Sequence, residues 1–181
     1  MLIDCNVWLG FWPFQKFRLD TAAKLAKQLE SKGISRGFVS AVESILYPDP
    51  AVYNDMLVKK VSKYKSLVPV RIVNPVIGNW KEELDKIDKR RAKVVRVLPN
   101  YHHYSLGDKC FEELAAEMVK RKWSLMVQMR VEDERSHYAG MKMPGVDVDE
   151  VIRAAEKFKD LNFICLCSYC LLCCFENSES H

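Results

Sequence analysis

The sequence predicts an α/β protein of the TIM-barrel-like (β/α)n class, with about six βα units of an eight-unit barrel. Three observations carry this. β-branched runs alternate with amphipathic helical segments from Leu2 to Cys167. The period is short and even, at about thirty residues per unit, in line with a (β/α)8 barrel of ~250 residues. The segments that follow the strands are longer and more polar than those that precede them, and no Gly-rich phosphate loop follows the first strand, where a dinucleotide-binding fold carries one. An open doubly wound sheet shares the alternation; the period, the polar loops and the missing glycines favour the barrel.

The elements follow in order. Leu2–Val7 reads as a strand, with Gly10 and Pro13 in the loop after it. Asp20 is placed to cap a helix over Thr21–Ser31, whose Ala22, Leu25, Ala26 and Leu29 share one face. Gly33 closes that helix at the C′ position. Gly37–Val42 is the second strand, Ala51–Tyr64 the second helix, and Leu67–Val73 the third strand, stopped by Asn74-Pro75. Asn79 is placed to cap a helix from Trp80 to about Lys89. Lys93–Leu98 is a β-branched strand that runs into Pro99 and then Asn100, Tyr101, His102, His103 and Tyr104, a dense set of hydrogen-bonding side chains. Asp108–Lys122 is a helix with Phe111, Leu114, Ala115 and Met118 on one face. Ser124–Met129 is the fifth strand; Arg130–Pro144 is a long polar loop; a helix near Val148–Phe158 leads to the sixth strand, Asn162–Cys167.

Composition sets the bounds. The 181 residues are 49% hydrophobic, enough for one core. A net charge of +4 with 29% charged residues is a mild excess over helix faces, so no nucleic-acid partner is expected. Lys89-Arg90-Arg91 and Lys120-Arg121-Lys122 each fall at the end of a predicted helix, where they complement its dipole. No apolar run reaches the roughly 18 residues of a membrane span. Met1-Leu2-Ile3 runs straight into a strand without a basic leader, so a cytoplasmic protein with free thiols is expected.

Residues 1–167 thus form one partial barrel and residues 168–181 an irregular tail. Cys165, Cys167, Cys170, Cys173 and Cys174 crowd this end. Their spacing admits a metal cluster, but Cys165 and Cys167 share one face of a strand, and no second Cys/His pair stands at zinc-finger distance. The simpler reading is a truncated or alternative terminus in place of the last two units. An open sheet exposes its edges, so self-association into a homo-oligomer is expected.

In a barrel the site lies at the C-terminal ends of the strands. That rule collects Asp4, Asn6 and Trp8 from the first strand, Ser40 and Glu43 from the second, and Asn74 from the third. The fourth offers Arg96, Asn100, His102 and His103, and the fifth Gln128 and Arg130, with Glu132, Asp133, Glu134, Arg135 and His137 beyond. His102 is the candidate general acid/base, since imidazole titrates near neutrality. Glu43 is a second candidate base, or a cap for the next segment. Arg96 and Arg130 lie in or beside buried strands, and a buried guanidinium needs a carboxylate. That partner is either Glu43 or Glu132 of the protein, or the carboxylate of a small-molecule substrate.

The first strand, Ile3-Asp4-Cys5-Asn6-Val7-Trp8-Leu9-Gly10, resembles the D-x-H-x-H-x-G opening of the amidohydrolase-related proteins. The Val70–Pro75 strand, the run through Leu98-Pro99-Asn100-Tyr101-His102 and the strand Leu125–Arg130 fit that family's order. The resemblance implies a TIM-barrel hydrolase or decarboxylase acting on a small carboxylated substrate with a divalent metal such as zinc. Yet Asn6 and Trp8 stand where the family has two metal-binding histidines, and Gln128 and Cys167 near where two more are expected. An amide is a poor metal ligand and indole is none. No cofactor is therefore expected. The resulting expectation is an amidohydrolase-like hydrolase or lyase in which Arg96 or Arg130 anchors the carboxylate, His102 moves the proton, and Asn6, Trp8, Asn74, Asn100 and Gln128 bind substrate. The alternative is an inactive truncated barrel that binds a ligand or itself.

Overall fold

The structure is a computed structural model that describes residues 1–14, 16–131 and 143–167. Glu132, Asp133, Glu134, Arg135 and His137 lie outside the described residues, as do Cys170, Cys173 and Cys174 with the rest of 168–181. Six strands alternate with helices: β1 (Ile3–Leu9), α1 (Ala22–Ser31), β2 (Arg36–Ala41), α2 (Ala51–Val61), β3 (Leu67–Pro69), α3 (Trp80–Asp85), β4 (Val94–Val97), α4 (Lys109–Arg121), β5 (Ser124–Gln128), α5 (Val148–Lys157) and β6 (Asn162–Leu166). A single 3-10 turn, Val42–Ile45, follows β2.

All pairings are parallel, in two three-stranded sheets, β1-β2-β3 and β4-β5-β6. A bridge between Ile72 and Arg96 joins them. Across it Arg96 N donates to the Arg71 carbonyl (3.0 Å) and Val73 N to the Arg96 carbonyl (2.9 Å). Strand order therefore follows chain order with no reversal, unlike a doubly wound sheet.

Alternation sorts the side chains into two shells. Val7, Leu9, Val39, Ala41 and Leu67 face out and pack on Leu25 and Leu29 of α1 and on Leu57 and Val61 of α2. Val95, Val97, Leu125 and Val127 face out onto Leu84, Phe111, Leu114, Met118 and Val151 of α3, α4 and α5. The intervening residues face in: Cys5, Phe38, Val70, Val94, Met126, Ile164 and Leu166 form one inner cluster, and Trp8, Val42, Ile72 and Leu98 another. Cys5 and Trp8 share the inner face although three apart, because β1 advances three residues from Asp4 to Val7 while β2 advances two, from Gly37 to Val39. That bulge re-aims Asn6 and Trp8.

Several boundaries differ from the sequence reading. Thr21, not Asp20, caps α1: its side chain accepts from Lys24 N (3.3 Å), while Asp20 pairs with Lys24 Nζ (2.7 Å). Both residues can cap, and the one in extended geometry directly before the first turn takes the role. Gly33 does close this helix, at φ +68. β3 is three residues long, because the chain leaves β2 after Pro69 to meet β4. α3 ends at Asp85, so Lys89-Arg90-Arg91 lies beyond it and does not serve its dipole; Arg91 Nη2 instead donates to the Leu67 carbonyl (2.7 Å). Asn79 precedes α3 without a side-chain cap and donates to Asp49 (3.2 Å). Lys120 and Arg121 do occupy the last turn of α4. β6 ends at Leu166, so Cys167 does not share a strand face with Cys165, which packs outward.

Candidate functional site

The inner face of the sheet carries the candidate site, and Arg96 is its centre. As the middle inward residue of β4, between Val94 and Leu98, its guanidinium is carried into the sheet's interior and is 0% exposed. Nη2 donates to the Cys5 carbonyl (2.8 Å), and the guanidinium carbon lies 4.3 Å from the centre of the Trp8 ring. Nε and Nη1 have no hydrogen-bond partner among the described residues. Burial pushes the Arg96 pKa down to about 9, against the opposing fields of Cys167, Cys5 and Asp4. The side chain therefore remains cationic at neutral pH. Among the described residues no carboxylate pairs with it: Glu43 turns elsewhere, accepting from Phe11 N (3.0 Å), and Glu132, the other expected partner, lies outside the described residues.

Two acceptors join those two donors. Gln128, inward on β5, donates through Nε2 to the Arg130 carbonyl (2.7 Å), which fixes its amide orientation and leaves Oε1 buried and unpartnered. Asn6 donates through Nδ2 to Cys167 Sγ (3.0 Å), leaving Oδ1 buried and unpartnered. A thiol can also donate, so Asn6 presents a carbonyl or an amino group there, according to how its amide is turned. Such a set suits a ligand with an anionic acceptor at one end and a hydroxyl or similar donor at the other.

The other candidates stand apart from this group. His102 is 5% exposed, in a turn folded back on β4 by His102 N donating to the Leu98 carbonyl (3.0 Å). Its Nε2 lies 3.1 Å from the Ser44 carbonyl and therefore carries the proton, while Nδ1 is buried without a partner. Burial lowers its pKa, which the Ser44 bond opposes and His103 abets. Asn74 is committed at both ends, donating to the Pro48 carbonyl (2.9 Å) and accepting from Val76 N (3.1 Å). Asn100 donates to the Pro144 carbonyl. Glu43 lines a cavity of about 560 Å³ with Phe11, Trp12, Phe17 and Lys60, distinct from the Arg96 group. Arg130 is half-buried just beyond β5.

The sequence reading passed over two features. Arg71, facing outward in the segment after β3 that bridges to Arg96, holds Glu83 (2.8 Å) and Asp55 (2.6 Å), and Lys86 completes the cluster on Glu83 (2.6 Å). Its signal was an arginine between Val70 and Ile72 in an apolar strand. Cys167 falls within the strand the sequence predicts, but it takes φ +56 and its sulfur accepts from Asn6.

The residues on the inner face do not fit a divalent metal. Of Asn6, Trp8, Gln128 and Cys167 only the thiol is a good ligand, and a guanidinium already places positive charge there. No group of three or more His, Cys, Asp or Glu converges among the described residues. No helix among them is long and apolar enough to cross a membrane.

No protein-family model and no curated protein matches the chain. Solved structures do. The chain is similar to a 5-carboxyvanillate decarboxylase from Sphingomonas paucimobilis at 12% identity and a TM-score of 0.61, covering 91% of this chain and 66% of that one. It is similar to an amidohydrolase from Mycobacterium avium subsp. paratuberculosis at 14% identity and a TM-score of 0.56, over 88% and 52%. A "probable 2-pyrone-4,6-dicarboxylic acid hydrolase" from Acinetobacter baumannii, solved with citric acid bound, matches at 10% identity and a TM-score of 0.55, over 91% and 56%. The chain thus has the α/β fold of these hydrolases and decarboxylases. It spans between 52% and 66% of their length.

Proposed function

We propose that the chain is an amidohydrolase-superfamily hydrolase or lyase for a small carboxylated organic substrate, built on six of the eight units of a (β/α)8 barrel and working without a tightly held metal. The observation that supports it is Arg96: a fully buried cation with two unpartnered N–H groups, beside the unpartnered acceptors of Gln128 and Asn6. A desolvated guanidinium without an internal carboxylate is matched by a ligand carboxylate. Trp8 covers the guanidinium, and Asn6 and Gln128 orient the other end of the substrate. His102, set apart from this group in the turn after β4, is held neutral by burial with an Nδ1 unpartnered among the described residues, and is the proton acceptor of this reading. Glu43 and Arg130 flank the same ends of β2 and β5.

Calorimetric titration with citrate and with hydroxybenzoates, on wild type and Arg96→Met, tests the binding half. Binding that the variant weakens by about tenfold or more is expected; equal affinity in both, or none in either, sinks the reading. Turnover is followed by carbon dioxide release and by ester or lactone hydrolysis. His102→Gln should abolish it while binding persists. Elemental analysis of purified protein checks the metal.

A second reading, binding or self-association without turnover, is favoured by a specific feature. Among the described residues β1 pairs only with β2. A groove of about 670 Å³, lined by Asp4, Asn6, Trp8, Leu25 and Leu29, runs beside it. Light scattering coupled to size exclusion tests this: a concentration-dependent dimer with no turnover supports it.

A further inference from the structure

We infer that Gln128 is the specificity-determining residue of the Arg96 site: its amide oxygen, fixed in orientation, selects carboxylates that also carry a hydroxyl and disfavours those that present an ether or a second carboxylate at that point. This rests on the reading of Arg96 as an anion site.

Strand register brings the two residues together. β4 and β5 pair Arg96 with Met126, which belongs to the inner cluster. Leu125 and Val127 face out, so Gln128 returns to the inner face, one layer nearer the strand ends. A strand spacing of about 4.8 Å and a rise of about 3.3 Å per residue put its Cα roughly 8 Å from that of Arg96. One small molecule spans that interval. Both side chains are enclosed, Arg96 at 0% and Gln128 at 3% exposure. Both hold polar atoms without a partner among the described residues, Nε and Nη1 on Arg96 and Oε1 on Gln128.

The orientation of the Gln128 amide sets the chemistry. Nε2 donates to the Arg130 carbonyl at 2.7 Å. A carbonyl cannot donate, so turning the amide over would set Oε1 against another acceptor. The free atom is therefore an oxygen, and it can only accept. Its strand neighbours do not serve it: Leu166 is its register partner on β6, Leu98 follows Val97 of β4, and neither side chain has a donor. Asn6 has no such fixed sense, because its partner is a thiol, which both donates and accepts. Gln128 thus carries the discrimination.

Ligand groups meet that oxygen differently. A hydroxyl donates to it and satisfies a buried acceptor. An ether of similar size, or a second carboxylate, brings acceptor against acceptor. An ammonium can donate, but it shares the enclosure with the Arg96 guanidinium, and like charges repel. The favoured ligand is a small carboxylate with a neutral hydroxyl.

Calorimetric titration of the full chain with benzoate, the hydroxybenzoates and the matching methoxybenzoates tests this. At least one hydroxybenzoate should bind about tenfold tighter than benzoate, and the methoxybenzoate of the same substitution no tighter than benzoate. Gln128→Met, similar in length but without the amide acceptor, should bring the hydroxybenzoate-to-benzoate affinity ratio to about one. The wild-type comparison decides alone if that variant does not fold. The inference is overturned if no hydroxybenzoate exceeds benzoate, if the methoxy analogue binds as tightly as the hydroxy one, or if the ratio survives Gln128→Met. If benzoate and citrate bind in an Arg96-dependent way with no preference for the hydroxyl, the Gln128 inference falls alone. If no carboxylate binds, the Arg96 reading falls with it.

Discussion

Arg71 and Arg96 pose one physical problem and receive opposite solutions. Arg71 lies in the segment just after β3 and Arg96 on β4, and Arg96 N donates to the Arg71 carbonyl. They are 7% and 0% exposed. Arg71 faces outward toward the helices, where Glu83 and Asp55 neutralise it. Arg96 faces inward, where it finds one carbonyl and the face of an indole. A buried charge with its carboxylates is a structural joint, here tying the segment after β3 to α2 and α3. A buried charge with no carboxylate among the described residues destabilises the fold in which it sits, and that cost is what the proposed ligand carboxylate would offset.

The sharpest way to break this contrast is to remove each cation in turn. Arg71→Met leaves Glu83, 2% exposed, with only Lys86 and the Asn54 amide. Urea unfolding should show a loss of about 3–5 kcal/mol, the usual cost of stranding one partner of a buried pair. Arg96→Met removes an uncompensated charge and leaves an apolar side chain among Val70, Val94 and Met126. Stability should be unchanged or higher by up to about 2 kcal/mol, after allowing for the lost bond to the Cys5 carbonyl. A loss for Arg96→Met equal to that for Arg71→Met would make Arg96 a structural residue and remove the anion site.

His102 is a third buried base, and it sheds its charge. Burial lowers its pKa, so the folded protein holds it neutral while the unfolded chain protonates it near pH 6.5. The folded state then binds fewer protons than the unfolded one between pH 6.5 and the lower folded pKa. Its contribution is full above pH 6.5 and is lost as pH falls through that window, at about 1.4 kcal/mol per pH unit. His102→Gln keeps a donor for the Ser44 carbonyl and does not titrate. Urea midpoints followed from pH 8 to 5 should therefore fall more steeply for wild type than for the variant. Parallel curves would mean that His102 titrates alike in both states.

These residues show what was legible in the sequence. Strand order, helix order and the inward placement of Arg96 follow from period and alternation, which are local. The sequence offers Arg96 either Glu43 or Glu132 as its protein partner, and Glu132 lies outside the described residues. But Glu43 is drawn across to Phe11 N over Gly10, where φ +136 and the carboxylate's proximity leave no room for a Cβ. Arg71 was invisible as a site because Asp55 and Glu83 come from two different helices, and pairing between elements leaves no spacing signal. His102 reads as a loop residue after the fourth strand, and its burial has no local signal, because the turn after Pro99 folds back on β4 through main-chain bonds that any side chains can make. Thr21 and Asp20 are adjacent cap-competent residues, and composition alone does not choose between them.

The smallest predicted effect asks which half of the Arg71 cluster does the stabilising. Asp55 lies closest to the guanidinium, at 2.6 Å, but its side chain is 46% exposed. Glu83 is slightly farther, at 2.8 Å, and nearly buried. Distance alone ranks Asp55 first; solvent screening reverses the order, because water competes for the exposed carboxylate and not for the enclosed one. Asp55→Asn should cost under about 1 kcal/mol, and most of that should vanish at 1 M salt, where the Debye length is about 3 Å. Glu83→Gln should cost about 3 kcal/mol and respond little to salt. If Asp55→Asn proved as costly as Glu83→Gln, Arg71 would be held by contact distance rather than by enclosure. The lack of a carboxylate at the equally enclosed Arg96 among the described residues would then lose its meaning as a mark of a binding site.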